Sequence, residues 1–340
     1  MTVPTPAEGV QQARRAHAVG VGGAHAKAIV LGEHAVVYGA PALAVPVPQL
    51  AVTASAGWSS HGEGGGEVSF TMTGSPSRPI VTEAFAGLGL LTSHFQETYG
   101  AEGGRHLDVI IDGGIPHGRG LGSSAAYARS VVLALADLYG CRLTGPEVFE
   151  LVQRAENVAH GRSSGVDAAT VGAPGPIWFR TGATEPVDVA CDGLFVIADS
   201  GTVGRTKDAV EQLREHLSRH AGAREDFVDR ATELTVSARQ ALADGKSEEF
   251  GSYLTDCHRL LRAAHLSTPR IDDLVQAALD AGSLGAKITG GGLGGCMIAF
   301  TSPVAAGQVT RRLHEAGAVQ TWVVPLKGQA GSGPETGAAR

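Results

Sequence analysis

Five of the six residues from Gly290 to Gly295 are glycine, and they separate two apolar runs in GAKITGGGLGGCMIAF. A hairpin turn needs one or two glycines. So many residues without a Cβ are better explained by a backbone that must come close to a ligand or to another stretch of chain. A second stretch has the same character. HGRGLGSSAA sets Gly118, Gly120 and Gly122 between the apolar run LDVIID and a run with helical spacing. Glycines there let backbone N–H groups reach an anion, and a helix start adds unpaired donors and partial positive charge. Ser123 and Ser124 stand where hydroxyls can cap the helix or ligate a metal. A flexible loop with a serine cap accounts for the glycines equally well.

Three familiar motifs fail here by one residue each. A Walker A loop needs lysine after its last glycine, where Ser123 stands. A Rossmann turn needs G-x-G-x-x-G, but the spacing is G-x-G-x-G and no acid closes a following strand. A nucleophile elbow needs G-x-S-x-G, and Gly122-Ser123-Ser124-Ala125-Ala126 ends in alanine.

Two further segments carry candidate chemistry. In AENVAHGRSSGVDAAT, Glu156 lies near the end of a predicted helix and Asp167 in a turn eleven residues on. A carboxylate suits Mg²⁺, and a second can take a proton from a substrate hydroxyl. A solvated helix end and an Asx turn are the plain alternative. In AKAIVLGEHAVVYGAPA, Lys27 falls on a predicted apolar strand, so it is either at an edge or in use. Glu33 and His34 follow in a loop bracketed by Gly32 and Gly39, where a surface pair and a packing histidine would serve as well.

Periodicity predicts strands over 26–30, 42–54, 67–73, 107–112, 177–179, 194–199, 286–289, 295–300 and 319–325. It predicts helices over 82–99, 124–139, 146–159, 206–219, 223–243, 247–265, 270–281 and 303–316. Residues 57–66 read as a hairpin or exposed loop, and TGATEPVDVACDG as turn-like. This mixed order favours α+β over a doubly wound sheet. A length of 340 residues suits two domains, 1–187 and 188–327, with an apolar-poor tail at 328–340 expected to be disordered.

The formal net charge of -7 argues against a general nucleic-acid binder. Four cysteines lie far apart without C-x-x-C, so free thiols in a reducing compartment are expected rather than a zinc or disulfide framework. The N-terminus lacks a signal-peptide core, and prolines interrupt the longest apolar run, which points to a cytoplasmic protein.

In this order and spacing, the segments Lys27 to Pro46, Pro116 to Ala126 and Lys287 to Cys296 resemble the three motifs of the GHMP kinase family. Within it, LGEHAVVYGAPALAVPV, GLGSSAAYA, HGRSSGVDAAT and STPRIDDLV are most similar to the branch acting on mevalonate. The resemblance implies a two-domain α+β fold, with an N-terminal domain like ribosomal protein S5 domain 2 and a ferredoxin-like C-terminal domain. It implies ATP-dependent phosphorylation of mevalonate's primary hydroxyl with Mg²⁺, in a homodimer that uses no nucleic acid and no membrane. By the same resemblance, Ser124 and Glu156 bind Mg²⁺. Pro116, Gly118, Arg119, Gly120, Leu121, Gly122, Ser123, Ser124 and Ala125 surround the ATP phosphates. Asp167 is the catalytic base and Lys27 stands beside it. Glu33, His34 and Thr206 join them in the substrate pocket. Apart from the resemblance, Arg180 is the nearest spare cation for the substrate carboxylate, where a surface arginine would serve as well.

Two residues depart from the family pattern. Ser163 stands where the family often has proline, and Leu293 where it often has glycine. A positive φ at the second position would strain leucine. A sibling acting on phosphomevalonate or homoserine, and a metabolite sensor that kept the fold without catalysis, are the competing readings.

Overall fold

Strands β1 (Val19–Leu31) and β2 (Ala42–Glu63) form the antiparallel spine of the first half. The computed structural model describes residues 18–63, 67–74, 82–100, 105–161, 163–204 and 206–327. The other edge of β2 pairs with β4 (Arg105–Gly113) and with β5 (Ile177–Arg180). Strand β3 (Val68–Thr73) runs parallel to β4, and β6 (Ala183–Pro186) runs antiparallel to β5. Pro48 is tolerated inside β2 because the ladder slips beside it, whereas Pro46 keeps its register opposite Lys27. His25 faces Ala51, whereas Ala26 faces Val47. Residues between those partners bulge, so the missing amide of Pro48 breaks no rung.

Two sequence expectations change here. Residues 57–63 are not a loop, since β2 continues through Glu63, with Gly57 paired to Val19 on one side and Asp108 on the other. Residues 64–66 lie outside the described residues. Flanking strands on both edges outweigh a turn-like composition. In TGATEPVDVACDG, Thr181 (φ 47°) and Gly182 (φ 87°) make a two-residue turn, so Arg180 pairs with Ala183 and β6 forms. Two positive φ values match the twist of a tight hairpin.

Helices α1 (Thr82–Tyr99), α2 (Ser123–Leu138) and α3 (Gly145–His160) pack together in the first half. Thr144 and Glu147 form a capping box at the start of α3. Two short elements were not foreseen: a 3-10 turn at Ala35–Tyr38 and helix α4 (Val166–Thr170). Both are about one turn long, too short for periodicity to declare.

The second half is a four-stranded antiparallel sheet in the order β10-β7-β9-β8. Its strands are β7 (Leu194–Asp199), β8 (Gly285–Thr289), β9 (Cys296–Thr301) and β10 (Gln320–Pro325). Between and after them run α5 (Thr206–Ser218), α6 (Ala223–Ala243), α7 (Ser247–Ala263), α8 (Pro269–Asp280) and α9 (Ala306–Glu315). Phe195, Phe250 and Phe300 meet edge-on or tilted, with ring centroids 4.8–6.2 Å apart, and fill the space between sheet and helices. All four cysteines are free thiols. No helix among the described residues is long and apolar enough to cross a membrane. The expected tail, 328–340, lies outside the described residues.

Candidate active site

Helix α2 starts on Gly122 in the left-handed region (φ 70°), and no side chain caps it. The expected serine cap is therefore absent. Ser123 Oγ lies 3.5 Å from His117 Nδ1 instead, and the Ser124 hydroxyl bonds the Glu156 carboxyl. The first amides of α2 are left open as an anion site. Gly122 has a second reason to be glycine: a Cβ there would sit 2.8 Å from Cγ and Cε of Lys27. The lysine side chain threads beneath the loop. Its amide donates to the Leu121 carbonyl (3.0 Å) and its Nζ to the Gly120 carbonyl (3.1 Å). The same Nζ is 2.8 Å from Asp167 Oδ1, with Lys27 buried and Asp167 31% exposed. The unforeseen helix α4 carries Asp167 in its first turn.

The second glycine loop lies directly on the first. A Cβ on Gly290 would fall 2.5 Å from the Cα of Gly120, so the two backbones touch. This is the close approach that the glycine density calls for. Residues 200–204 tie the loops together. Gly204 N–H donates to Gly118 O and Gly295 N–H to Thr202 O, both at 2.8 Å. Leu293 does take a positive φ, 54°, with its N–H held by the Leu266 carbonyl at 2.9 Å. Such a non-glycine residue carries strain of about 1–3 kcal/mol.

A cavity of about 460 Å³ opens between these parts. Lys27, Glu33, His34, Gly118, Gly120, Gly122, Ser123, Ser124, Glu156, Asp167 and Thr206 all line it, together with Gly290 and Gly291 of the second glycine loop. Pro116, Arg119, Leu121, Ala125 and Arg180 do not. Leu121 and Ala125 are buried in the core. Arg119 turns away from the cavity: its Nε donates to Asp199 Oδ2 at 2.9 Å and its Nη2 to the Gly201 carbonyl at 3.2 Å. Arg180 sits at the end of β5, where its Nε donates to the Gly39 carbonyl at 3.4 Å, and it does not line the cavity as the expected cation of the pocket would. Lys207, beside Thr206 on α5, lines the cavity and was not singled out.

Burial sets the electrostatics. It pulls His34 down to about 4, helped by the Lys287 charge, so this imidazole is neutral at pH 7. Burial also pushes the Glu156 carboxyl up to about 7, helped by the Asp167 charge and opposed by the Ser124 hydrogen bond and by Lys27. Glu156 Oε1 is buried with no hydrogen-bond partner among the described residues. A carboxyl raised on folding stabilises the fold below its unfolded value of 4.5, and that benefit is lost as pH climbs through about 7. Glu156→Gln should therefore raise the metal-free thermal midpoint by a few degrees at pH 8, where the charge costs about 3 kcal/mol, and by little at pH 5. Calorimetry at the two pH values checks this; equal shifts would refute it.

The sequence reading gave Lys287 no role beyond opening the glycine loop. It is buried in β8 and ion-paired with Glu33. The signal that marks Lys27, a lysine within an apolar strand, marks Lys287 equally.

Comparison with known proteins agrees with this assembly. The family model for the GHMP kinases N terminal domain matches residues 85–174, and that for the GHMP kinases C terminal domain matches 238–319. The mevalonate kinase of Thermococcus sibiricus is 31% identical over 293 residues, covering 82% of this chain and 87% of the relative. That of Aeropyrum pernix is 30% identical over 320 residues, covering 90% and 93%. The crystal structure of L. major mevalonate kinase in complex with R-mevalonate superposes with a TM-score of 0.78 at 24% identity, covering 90% of this chain and 95% of that one. With relatives 30–31% identical along most of its length and both domain models matched on the halves that build the cavity, the chain belongs to the GHMP kinase family.

Proposed function

We propose that this protein transfers the γ-phosphoryl group of ATP to the primary hydroxyl of (R)-mevalonate, giving 5-phosphomevalonate and ADP in the mevalonate route to isoprenoids. One observation carries the reading: the Lys27–Asp167 pair, at 2.8 Å, shares a cavity with the open start of α2 and both glycine loops. Phosphoryl transfer asks mainly for positioning and for compensation of charge. The backbone donors of Gly118 to Ser124 and the α2 N-terminus supply a fixed positive field for the phosphates. Asp167 accepts the proton of the attacking hydroxyl, and Lys27 adds positive charge beside that oxygen. Glu33, His34 and Thr206 line the acceptor side.

The residues present fit Mg²⁺. The unpartnered Oε1 of Glu156 and the neighbouring Ser124 hydroxyl are hard oxygen donors. One or two protein groups, completed by phosphate oxygens and water, are the usual Mg²⁺ set. Bound there, Mg²⁺ would neutralise charge on the phosphates. We further read residues 1–187 as the ATP-binding domain and 188–327 as the C-terminal domain of a cytoplasmic homodimer.

The names of the similar proteins point to mevalonate among the family's alcohols. An ADP-release assay across mevalonate, phosphomevalonate and homoserine tests this directly. Mevalonate alone is expected to support turnover. Preference for another alcohol would transfer the protein to a sibling activity, and no ADP release with any of them would favour the sensor.

A further inference from the structure

Side chains alternate along a strand, so Lys287 and Thr289 leave β8 on the same side. Both reach the first half. Thr289 Oγ1 donates to the Ile29 carbonyl at 2.8 Å, and Lys287 donates to Glu33 Oε1. The ammonium also donates to the Ile288 carbonyl at 2.5 Å. Lys287 is fully buried and Glu33 is 3% exposed. Lys287 does not line the cavity, whereas Glu33 does, and the buried Glu33 Oε2 has no hydrogen-bond partner among the described residues. An orphaned carboxylate oxygen in a binding cavity is costly unless a ligand donor meets it.

We propose that Lys287 is a positioning residue for the phosphoryl acceptor: it fixes Glu33 so that Oε2 accepts a hydrogen bond from the second, tertiary hydroxyl of the substrate. This deepens the functional reading above and rests on it. In the functional reading the primary hydroxyl goes to Asp167, which lines the same cavity, and this leaves the tertiary one for Glu33. The substrate carboxylate is excluded from this corner by like charge. The neighbours of Glu33 leave Lys287 as its close counter-charge. His34 is neutral, and burial pushes the Cys257 thiol up to about 12. Lys27 acts on Glu33 more weakly than Lys287 does. Burial alone pushes the Glu33 carboxyl up, and Lys287 opposes that through charge and hydrogen bond. Without Lys287 the carboxyl would take a proton and rotate freely toward other partners.

The test is steady-state kinetics on the purified full chain with Glu33→Gln, Lys287→Met and the double variant, using mevalonate and its analogue 5-hydroxy-3-methylpentanoate, which lacks the tertiary hydroxyl. Lys287→Met should raise KM for mevalonate by about tenfold or more and leave KM for ATP within about twofold. Because Lys287 acts through Glu33, adding Lys287→Met to Glu33→Gln should change that KM by less than about twofold. Wild type should disfavour the analogue by about 100-fold or more, and Glu33→Gln should narrow that gap. Multiplying losses in the double variant, an unchanged mevalonate KM in Lys287→Met, or wild-type indifference to the analogue would each overturn the proposal. Lys287→Met leaves a buried unpaired carboxyl and can fail to fold; the double variant does not, and its comparison with Glu33→Gln then decides. Wild type that releases no ADP with mevalonate would overturn the functional reading itself, an outcome distinct from active wild type with the wrong variant pattern.

Discussion

Asp167→Asn is expected to lower kcat by about 10²–10⁴-fold while ATP binding stays close to that of wild type. Asparagine keeps the shape of the residue and removes its ability to hold a proton. Lys27 keeps its bond to the Gly120 carbonyl, so the lysine stays in place beneath the phosphate loop. The open start of α2 and the glycine backbone are untouched by the change, so the nucleotide cradle survives. Single-turnover kinetics together with calorimetric titration of a non-hydrolysable ATP analogue separates the two quantities. A kcat within a few-fold of wild type would show that Asp167 only orients the hydroxyl. A matching loss of nucleotide affinity would show that the variant had disturbed the cradle instead.

The second large effect is expected from Gly290→Ala, which should destabilise the protein by about 3 kcal/mol and raise KM for ATP. Two costs combine. Gly290 has φ 86°, which an L side chain resists, and the new methyl carbon would meet the Gly120 Cα at 2.5 Å. The obstacle is backbone rather than the flexible end of a side chain, so relief means moving the phosphate loop. Gly282→Ala is a matched control: it has φ 91° and nothing within 4 Å of an added Cβ. It carries the backbone cost alone, about 1–2 kcal/mol. Chemical denaturation of both variants compares them. If Gly290→Ala proves no more costly than Gly282→Ala, the contact between the loops contributes nothing to stability.

Much of the fold is legible from the chain because its long elements repeat with clear periods. Helices such as Ala223–Ala243 and strands such as Leu194–Asp199 fall where apolar spacing puts them. Elements of about one turn carry no period, so Val166–Thr170 reads as a loop although it presents Asp167. Pairing across space overrides composition at Gly57, where neighbours on both edges keep β2 extended. In the site, residue types were legible and their directions were not. Arg119 sits among phosphate-loop glycines, yet its guanidinium is claimed by Asp199, a residue 80 positions away. Arg180 looked like a spare cation because nothing near it in sequence claims it, but the end of β5 carries it off the cavity wall. Glu33 and Lys287 are 254 positions apart, and no local pattern pairs them.

The contact between the glycine loops also limits how reactants get in and out. Gly120 and Gly290 meet at backbone distance, and the Arg119–Asp199 and Glu33–Lys287 pairs bolt the same seam on either side. The two halves therefore cannot part like a clamshell without breaking both ion pairs, one of them fully buried. The exposed part of the cavity wall is elsewhere, where Val37, Tyr38 and Val203 stand beside His117, Lys207 and Asp208. Two strongly hydrated reactants must pass this mixed apolar and charged doorway on the way in, and a product with one more phosphate must pass it on the way out. Opening at that rim breaks neither ion pair, whereas parting the seam breaks both along with the backbone contact between the loops.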